Sequence, residues 1–208
     1  MQPSALAKRV YLVIFIIIIA LYVFGLGHLP LLGPDEPRYA QVAREMLVRG
    51  DPITPTLGGH TWFEKPALLY WMIIAAAKVF GMNEWSARLG PALCGLLTVA
   101  AVAVVGREVE RLNGVAGFGL WSTLVTASCL GLIVFSRAAS FDVVITMTVT
   151  WSLAFFLLHE LATNVSRKRW LLIGFYAFVG MSLLAKGLVG IVVPFGVVGF
   201  YYLLRRRW

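Results

Sequence analysis

Eight ionisable residues stand out against an otherwise apolar chain: Asp35, Glu36 and Arg38 in "GPDEPRYAQ", Glu64 and Lys65 in "FEKPA", Arg137 and Asp142 in "SRAASFDV", and Lys186 in "LAKGL". Ionisable groups beside hydrocarbon are costly, so each is a functional candidate by default. Carboxylates mixed with lysine and arginine at a lipid surface suit chemistry on a phosphate-bearing lipid. The cations would neutralise the phosphate, and a carboxylate would take a proton from an acceptor or order a divalent cation. Each residue also has a plainer reading. Asp35 reads as the N-cap of a helix with Glu36 and Pro37 in its first turn. Glu64 and Lys65 could be an interfacial ion pair before a helix-starting Pro66, Asp142 could cap a span, and Arg137 and Lys186 could snorkel to the interface. These plainer roles do not require the groups to converge on one face with both signs of charge.

The elements that must position them follow from composition. Of the 208 residues 60% are apolar and 13% are charged, far from the roughly 25% charged of soluble domains, so the chain is an integral membrane protein. Its net charge of +8 is read as topology, not as a nucleic-acid footprint. Cys94 and Cys129 lie in apolar runs without metal-ligand or CxxC spacing, and His28, His60 and His159 have no ligand-like neighbours. The apolar stretches run from Val10 to Leu32, Pro66 to Phe80, Leu89 to Gly106, Val115 to Phe135, Asp142 to Leu161 and Trp170 to Tyr202. The first exceeds a signal-peptide core in length and lacks an A-x-A site, so it reads as a retained span. The last is broken by "AKGLVG" into a hairpin of two spans, Trp170 to Ala185 and Leu188 to Leu204.

Pro66 to Phe80 is short for a span, and the positive-inside rule decides its role. If it does not cross, Lys8 and Arg9, Arg107 and Arg111, Arg167 to Arg169, and Arg205 to Arg207 share the cytoplasmic side, ten of the eighteen basic residues. The opposite side then carries Arg137, Lys186 and a neutral loop from Gly33 to Arg88 with six basic and six acidic residues. The expected fold is an all-α polytopic bundle of about six transmembrane helices, with both termini inside and two juxtamembrane helices in the first outer loop. In the first of these, Tyr39, Val42, Ala43 and Met46 recur at helical spacing opposite Arg38, Gln41 and Glu45. The second, "WFEKPALLYWM", carries Trp62, Phe63, Tyr70 and Trp71 as an aromatic belt at headgroup depth.

"GPDEPRYAQVAREMLVRGD" followed by "FEKPALLYWM" resembles the first outer loop of bacterial GT-C membrane glycosyltransferases, of the aminoarabinose lipid A transferase and protein O-mannosyltransferase-like group. "SRAASFDVVITMTV" resembles that family's second acidic loop, and "LLAKGLVGIVVP" its lysine-glycine hairpin, in family order from about Tyr11 to Tyr202. The resemblance implies inverting transfer of a sugar from a polyprenyl-phosphate donor to lipid A, a protein or a glycan, on the periplasmic face of the bacterial inner membrane. Asp35, Glu36 and Asp142 would be the catalytic carboxylates. Lys65, Lys186, Arg137 and Arg38 would bind the donor phosphate. A divalent cation would be compatible with two acidic loops, although no ligand spacing calls for one. Family members are commonly much longer, so residues 1–208 are expected to be an N-terminal transmembrane catalytic module whose later spans and periplasmic C-terminal domain are absent. The rivals are a small transporter or channel, with Asp142 and Lys186 lining a path, and a non-catalytic membrane subunit.

Overall fold

The computed structural model describes residues 5–205, which leaves Arg206 and Arg207, and the side chain of Lys8, outside the described residues. The chain begins with α1 (Ala5–Val23), which ends where Gly25 takes a positive φ of 74°. Residues 24–32 then turn back instead of prolonging the first span to Leu32. The amphipathic helix α2 (Asp35–Arg49) follows and buries the expected face, Tyr39, Val42, Ala43 and Met46. It stops at Gly50, whose left-handed backbone lets its N–H and that of Asp51 close onto the carbonyls of Leu47 and Met46, a paired C-terminal cap. A two-residue hairpin, β1 (Thr56–Leu57) with β2 (His60–Thr61), turns on Gly58 and Gly59, both with φ above zero as such a turn demands.

The second juxtamembrane helix is α3 (Leu68–Phe80), whose 13 residues reach about 20 Å, well short of a bilayer's apolar thickness of about 30 Å. The aromatic residues in it and just before it divide in a way the sequence did not suggest. Phe63 is exposed, but Tyr70 is wholly buried beside Leu69, Ile73 and Ile74 because that face of α3 packs on α2 and α4.

The long helix α4 (Glu84–Asn113) opens with a reciprocal cap between Asn83 and Ser86 and packs against α1, α3 and the helices that follow. The expected span from Val115 to Phe135 is instead two helices, α5 (Phe118–Ala127) and α6 (Leu130–Ser136), bent by 56°. Thr123, Thr126 and Ser128 all turn their hydroxyls onto carbonyls three or four residues back, a competition with the ladder that bends helices. Helices α7 (Phe141–Leu161), α8 (Val165–Lys186) and α9 (Val189–Arg205) complete the bundle, with Gly187 at φ 70° closing the hairpin between the last two. Among the described residues α4, α7 and α8 are long and apolar enough to cross a membrane, and the bent pair α5–α6 would make a fourth crossing. The shorter apolar stretches in α1 and α9 fall below that length, so the count of six is not established by helix length.

Candidate functional site

The N-terminal ends of α2 and α7 and the C-terminal end of α8 meet at one end of the bundle. Asp35 is the first helical residue of α2 and does not cap it: the N-cap position is Pro34, with no side-chain cap bond. Its carboxylate is instead held by Arg38 one turn on, which pulls it away from the helix's free N–H groups and leaves it 59% exposed. Arg38 also reaches Glu64 at 3.3 Å, and Lys65 lies 3.5 Å from the same carboxylate. Four of the candidate residues therefore form one chain of alternating charge. The Arg38 guanidinium lies 5.7 Å from the ring centre of Tyr39 and 6.0 Å from that of Trp62, a cation against aromatic faces.

A second pair joins Asp142, in the first turn of α7, to Lys186, the last residue of α8. The cap of α7 is Ser140, whose hydroxyl accepts the Asp142 N–H at 3.1 Å and lies 3.4 Å from Asp142 Oδ2, which leaves Oδ1 for Lys186. The two charged groups are linked by rings. Tyr39 meets Phe141 edge-on at 4.9 Å, Tyr70 meets Phe141 at 5.5 Å, and Tyr39 lies 6.4 Å from Tyr70. Burial pushes the Tyr39 phenol above its ordinary range, and the carboxylates of Asp35, Glu64 and Asp142 add to the effect. Three buried polar atoms beside this site make no hydrogen bond: Arg38 Nε, Trp62 Nε1 and the Tyr70 hydroxyl.

Two candidates lie apart from this arrangement. Arg137 donates to the Leu21 carbonyl at 2.8 Å, near the C-terminal end of α1, where unpaired carbonyls attract a cation. Glu36 points into the protein and is 6% exposed. Burial pushes its carboxyl upward, but hydrogen bonds from Arg88 and from the Leu32 and Ala139 N–H groups outweigh that and hold it below its ordinary value. Sequence reasoning missed Arg88, because Glu84 four residues earlier supplies a bland helical partner. It also missed the buried hydroxyl of Tyr70, since an aromatic after "EKP" reads as interfacial. Among the described residues no cluster of three or more His, Cys, Asp or Glu side chains could hold a metal ion. A groove of about 1060 Å³ between α1, α4 and α5 is lined by residues such as Phe15, Leu96 and Ala100. It runs toward Arg107 and Arg111, away from the Asp35 end.

Comparison with known proteins places the chain in a family. Residues 8–208 match the family described as dolichyl-phosphate-mannose-protein mannosyltransferase. The chain belongs to this family of membrane glycosyltransferases. An uncharacterized protein of Aquifex aeolicus is 35% identical over 197 residues, covering 94% of this chain and 38% of the relative. The undecaprenyl phosphate-alpha-4-amino-4-deoxy-L-arabinose arabinosyl transferase of Pseudomonas aeruginosa is 36% identical over 179 residues, covering 84% of this chain and 31% of the relative. Among solved structures, ArnT from Cupriavidus metallidurans in the apo state superposes with a TM-score of 0.90 at 30% identity, over 99% of this chain and 37% of that one. The same protein bound to undecaprenyl phosphate gives 0.84 at 30% identity, over 95% and 36%. The chain thus spans about a third of the length of these relatives, from 31% to 38%.

Proposed function

We propose that this chain forms the donor-binding and catalytic end of a membrane enzyme that transfers a sugar from undecaprenyl phosphate to lipid A. The observation that carries the reading is the meeting of Asp35–Arg38–Glu64–Lys65 with Asp142–Lys186 around Tyr39 and Phe141. Its support is the likeness to a transferase whose structure has been solved with undecaprenyl phosphate. In this mechanism an acceptor oxygen attacks the anomeric carbon from the face opposite the leaving phosphate. The bond from that carbon to the phosphate oxygen breaks, and the configuration inverts. The polyprenyl phosphate carries away the electron pair and is met by Lys65, Lys186 and Arg38. Asp35, the most exposed of the carboxylates in ion pairs, orients the acceptor and takes its proton where it bears one. Asp142 holds Lys186 ready until the phosphate arrives.

The site is assigned to the periplasmic face of the inner membrane, with both termini cytoplasmic, on the distribution of basic residues. A protein or glycan acceptor is the alternative within the family. A transport path is disfavoured, since the charges sit at helix ends and not along helix middles. In the intact protein Asp35→Asn should lower transfer of 4-amino-4-deoxy-L-arabinose from its undecaprenyl-phosphate carrier to lipid A by about a hundredfold to ten-thousandfold. Membrane insertion should be unchanged. Transfer at the wild-type rate would remove Asp35 from the chemistry.

A further inference from the structure

One buried acid and one buried base remain outside this chemistry. Arg88 of α4 is 4% exposed. Its Nε donates to Glu36 Oε1 at 2.9 Å and its Nη2 to Oε2 at 2.7 Å, a two-pronged contact. The rest of the fork donates to the carbonyls of Leu26, Leu29 and Pro30 at 2.7, 2.7 and 2.8 Å, so all five guanidinium donors are used. Glu36 further accepts the N–H groups of Leu32 and Ala139, each at 2.7 Å. Four stretches of chain converge on this pair: the turn after α1, the first turn of α2, the early part of α4, and the link from α6 into α7.

These are the stretches that carry the two halves of the site. Asp35 is the residue next to Glu36, and Ala139 lies three residues before Asp142. A shift of the pair would move one carboxylate relative to the other. We propose that Arg88 and Glu36 are positioning residues that set the spacing between the Asp35–Arg38 cluster and the Asp142–Lys186 pair, without touching donor or acceptor. The proposal rests on the functional reading above. Glu36 is unsuited to act as the base itself. Both of its oxygens already accept two hydrogen bonds, leaving no free acceptor aimed at a substrate. Reversing the pair should not restore the geometry either. A carboxylate at position 88 could not donate to three carbonyls, and a guanidinium at position 36 could not accept from two N–H groups.

The test uses the intact protein in lipid nanodiscs, in a cysteine-depleted background, with spin labels on Arg44→Cys of α2 and Thr146→Cys of α7. Both positions are exposed and lie outside the site. In Glu36→Gln and Arg88→Met the distance distribution between the labels should broaden. The turnover number should fall by about a hundredfold, the scale of an ångström-sized misplacement, and the donor KM should rise, because Arg38 and Lys65 on one half and Lys186 on the other share the donor phosphate. The apparent pKa values of the pH profile should stay where they are in the wild type. Should Arg88→Met fail to insert, Arg88→Lys offers three donors in place of five and should show the same changes in milder form. A distribution as narrow as the wild type's, an unchanged turnover, or the loss of one limb of the pH profile in Glu36→Gln would each overturn the proposal. If the wild-type protein transfers no sugar, the functional reading falls, yet the label distances still decide whether the pair sets the spacing.

Discussion

Lys186 and Arg38 each hold a carboxylate in the absence of substrate, and this shapes what their removal should do. A charge-assisted hydrogen bond to a phosphate contributes about 1.5–3 kcal/mol, so Lys186→Ala should weaken undecaprenyl phosphate binding by about tenfold to a hundredfold. The loss should shrink as ionic strength rises, because the pair is partly open to solvent. Titration of the purified protein with undecaprenyl phosphate at two salt concentrations measures both effects, and unchanged affinity would take Lys186 out of the phosphate site. Tyr70 should behave in the opposite sense. Its hydroxyl is buried without a partner, a penalty of about 1–3 kcal/mol, so Tyr70→Phe should raise the unfolding temperature in detergent. A lower Tm would mean that the hydroxyl has a partner in the folded protein. At this scale the sequence showed which side chains could do chemistry, because charges are rare in an apolar chain. It could not show that adjacent Asp35 and Glu36 face opposite ways. One helical step turns a side chain by about 100°, enough here to send Asp35 to solvent and Glu36 to Arg88.

Helices and links hold these groups through a few close contacts. Gly190 of α9 sits so near α8 that a Cβ there would lie 2.3 Å from the backbone of Ser182, and backbone cannot swing aside. Gly190→Ala should therefore part the hairpin that carries Lys186, at a cost of about 1–3 kcal/mol in stability. Phosphate affinity should fall with it, whereas Gly196→Ala, which meets nothing within 4 Å, serves as the silent control in the same binding assay. The link between α2 and α3 depends on Glu45. A hydrogen bond from Gln41 and the N–H groups of Gly58 and Gly59 hold its carboxyl at about 2, below the ordinary 4.5. A depressed carboxyl stabilises the fold above its ordinary value and ceases to do so as pH falls through the folded one. Hydrogen exchange across residues 50–61, corrected for intrinsic rates, should therefore be faster in Glu45→Ala than in wild type above pH 4.5. The difference should close as pH approaches 2, and a difference independent of pH would rule this anchor out. The amphipathic face of α2 and the lysine-glycine hairpin were legible as patterns of apolar residues and a turn glycine. The break between α5 and α6 was not, because serine and threonine hydroxyls bend a helix through local bonds that hydropathy does not register.

For the whole molecule, hydropathy separates lipid-facing from aqueous chain but does not count crossings when helices are bent or short. The assignment of sides rests on charge. If α3 lies in the interface, as proposed, the basic groups of Arg107 and Arg111, Arg167 to Arg169 and Arg205 would share one side, and the neutral stretch from Gly33 to Arg88 would take the other. If α3 crossed, its two ends would be divided by the membrane, and every later loop would change sides. Single cysteines at Thr54, ahead of α3, at Phe80, its last residue, and at Lys168, ahead of the buried part of α8, discriminate between the two arrangements in a Cys129→Ser background. A membrane-impermeant maleimide applied to intact spheroplasts should label the Thr54→Cys and Phe80→Cys proteins alike, and should label Lys168→Cys only after permeabilisation. Labelling of Thr54→Cys without Phe80→Cys would make α3 a span despite its length of about 20 Å. It would also carry Asp142 and Lys186 to the face opposite Asp35. Since those residues meet around Tyr39 and Phe141 in the folded chain, that outcome would contradict the packing as well as the charge rule. Uniform labelling of both flanks keeps the two in agreement.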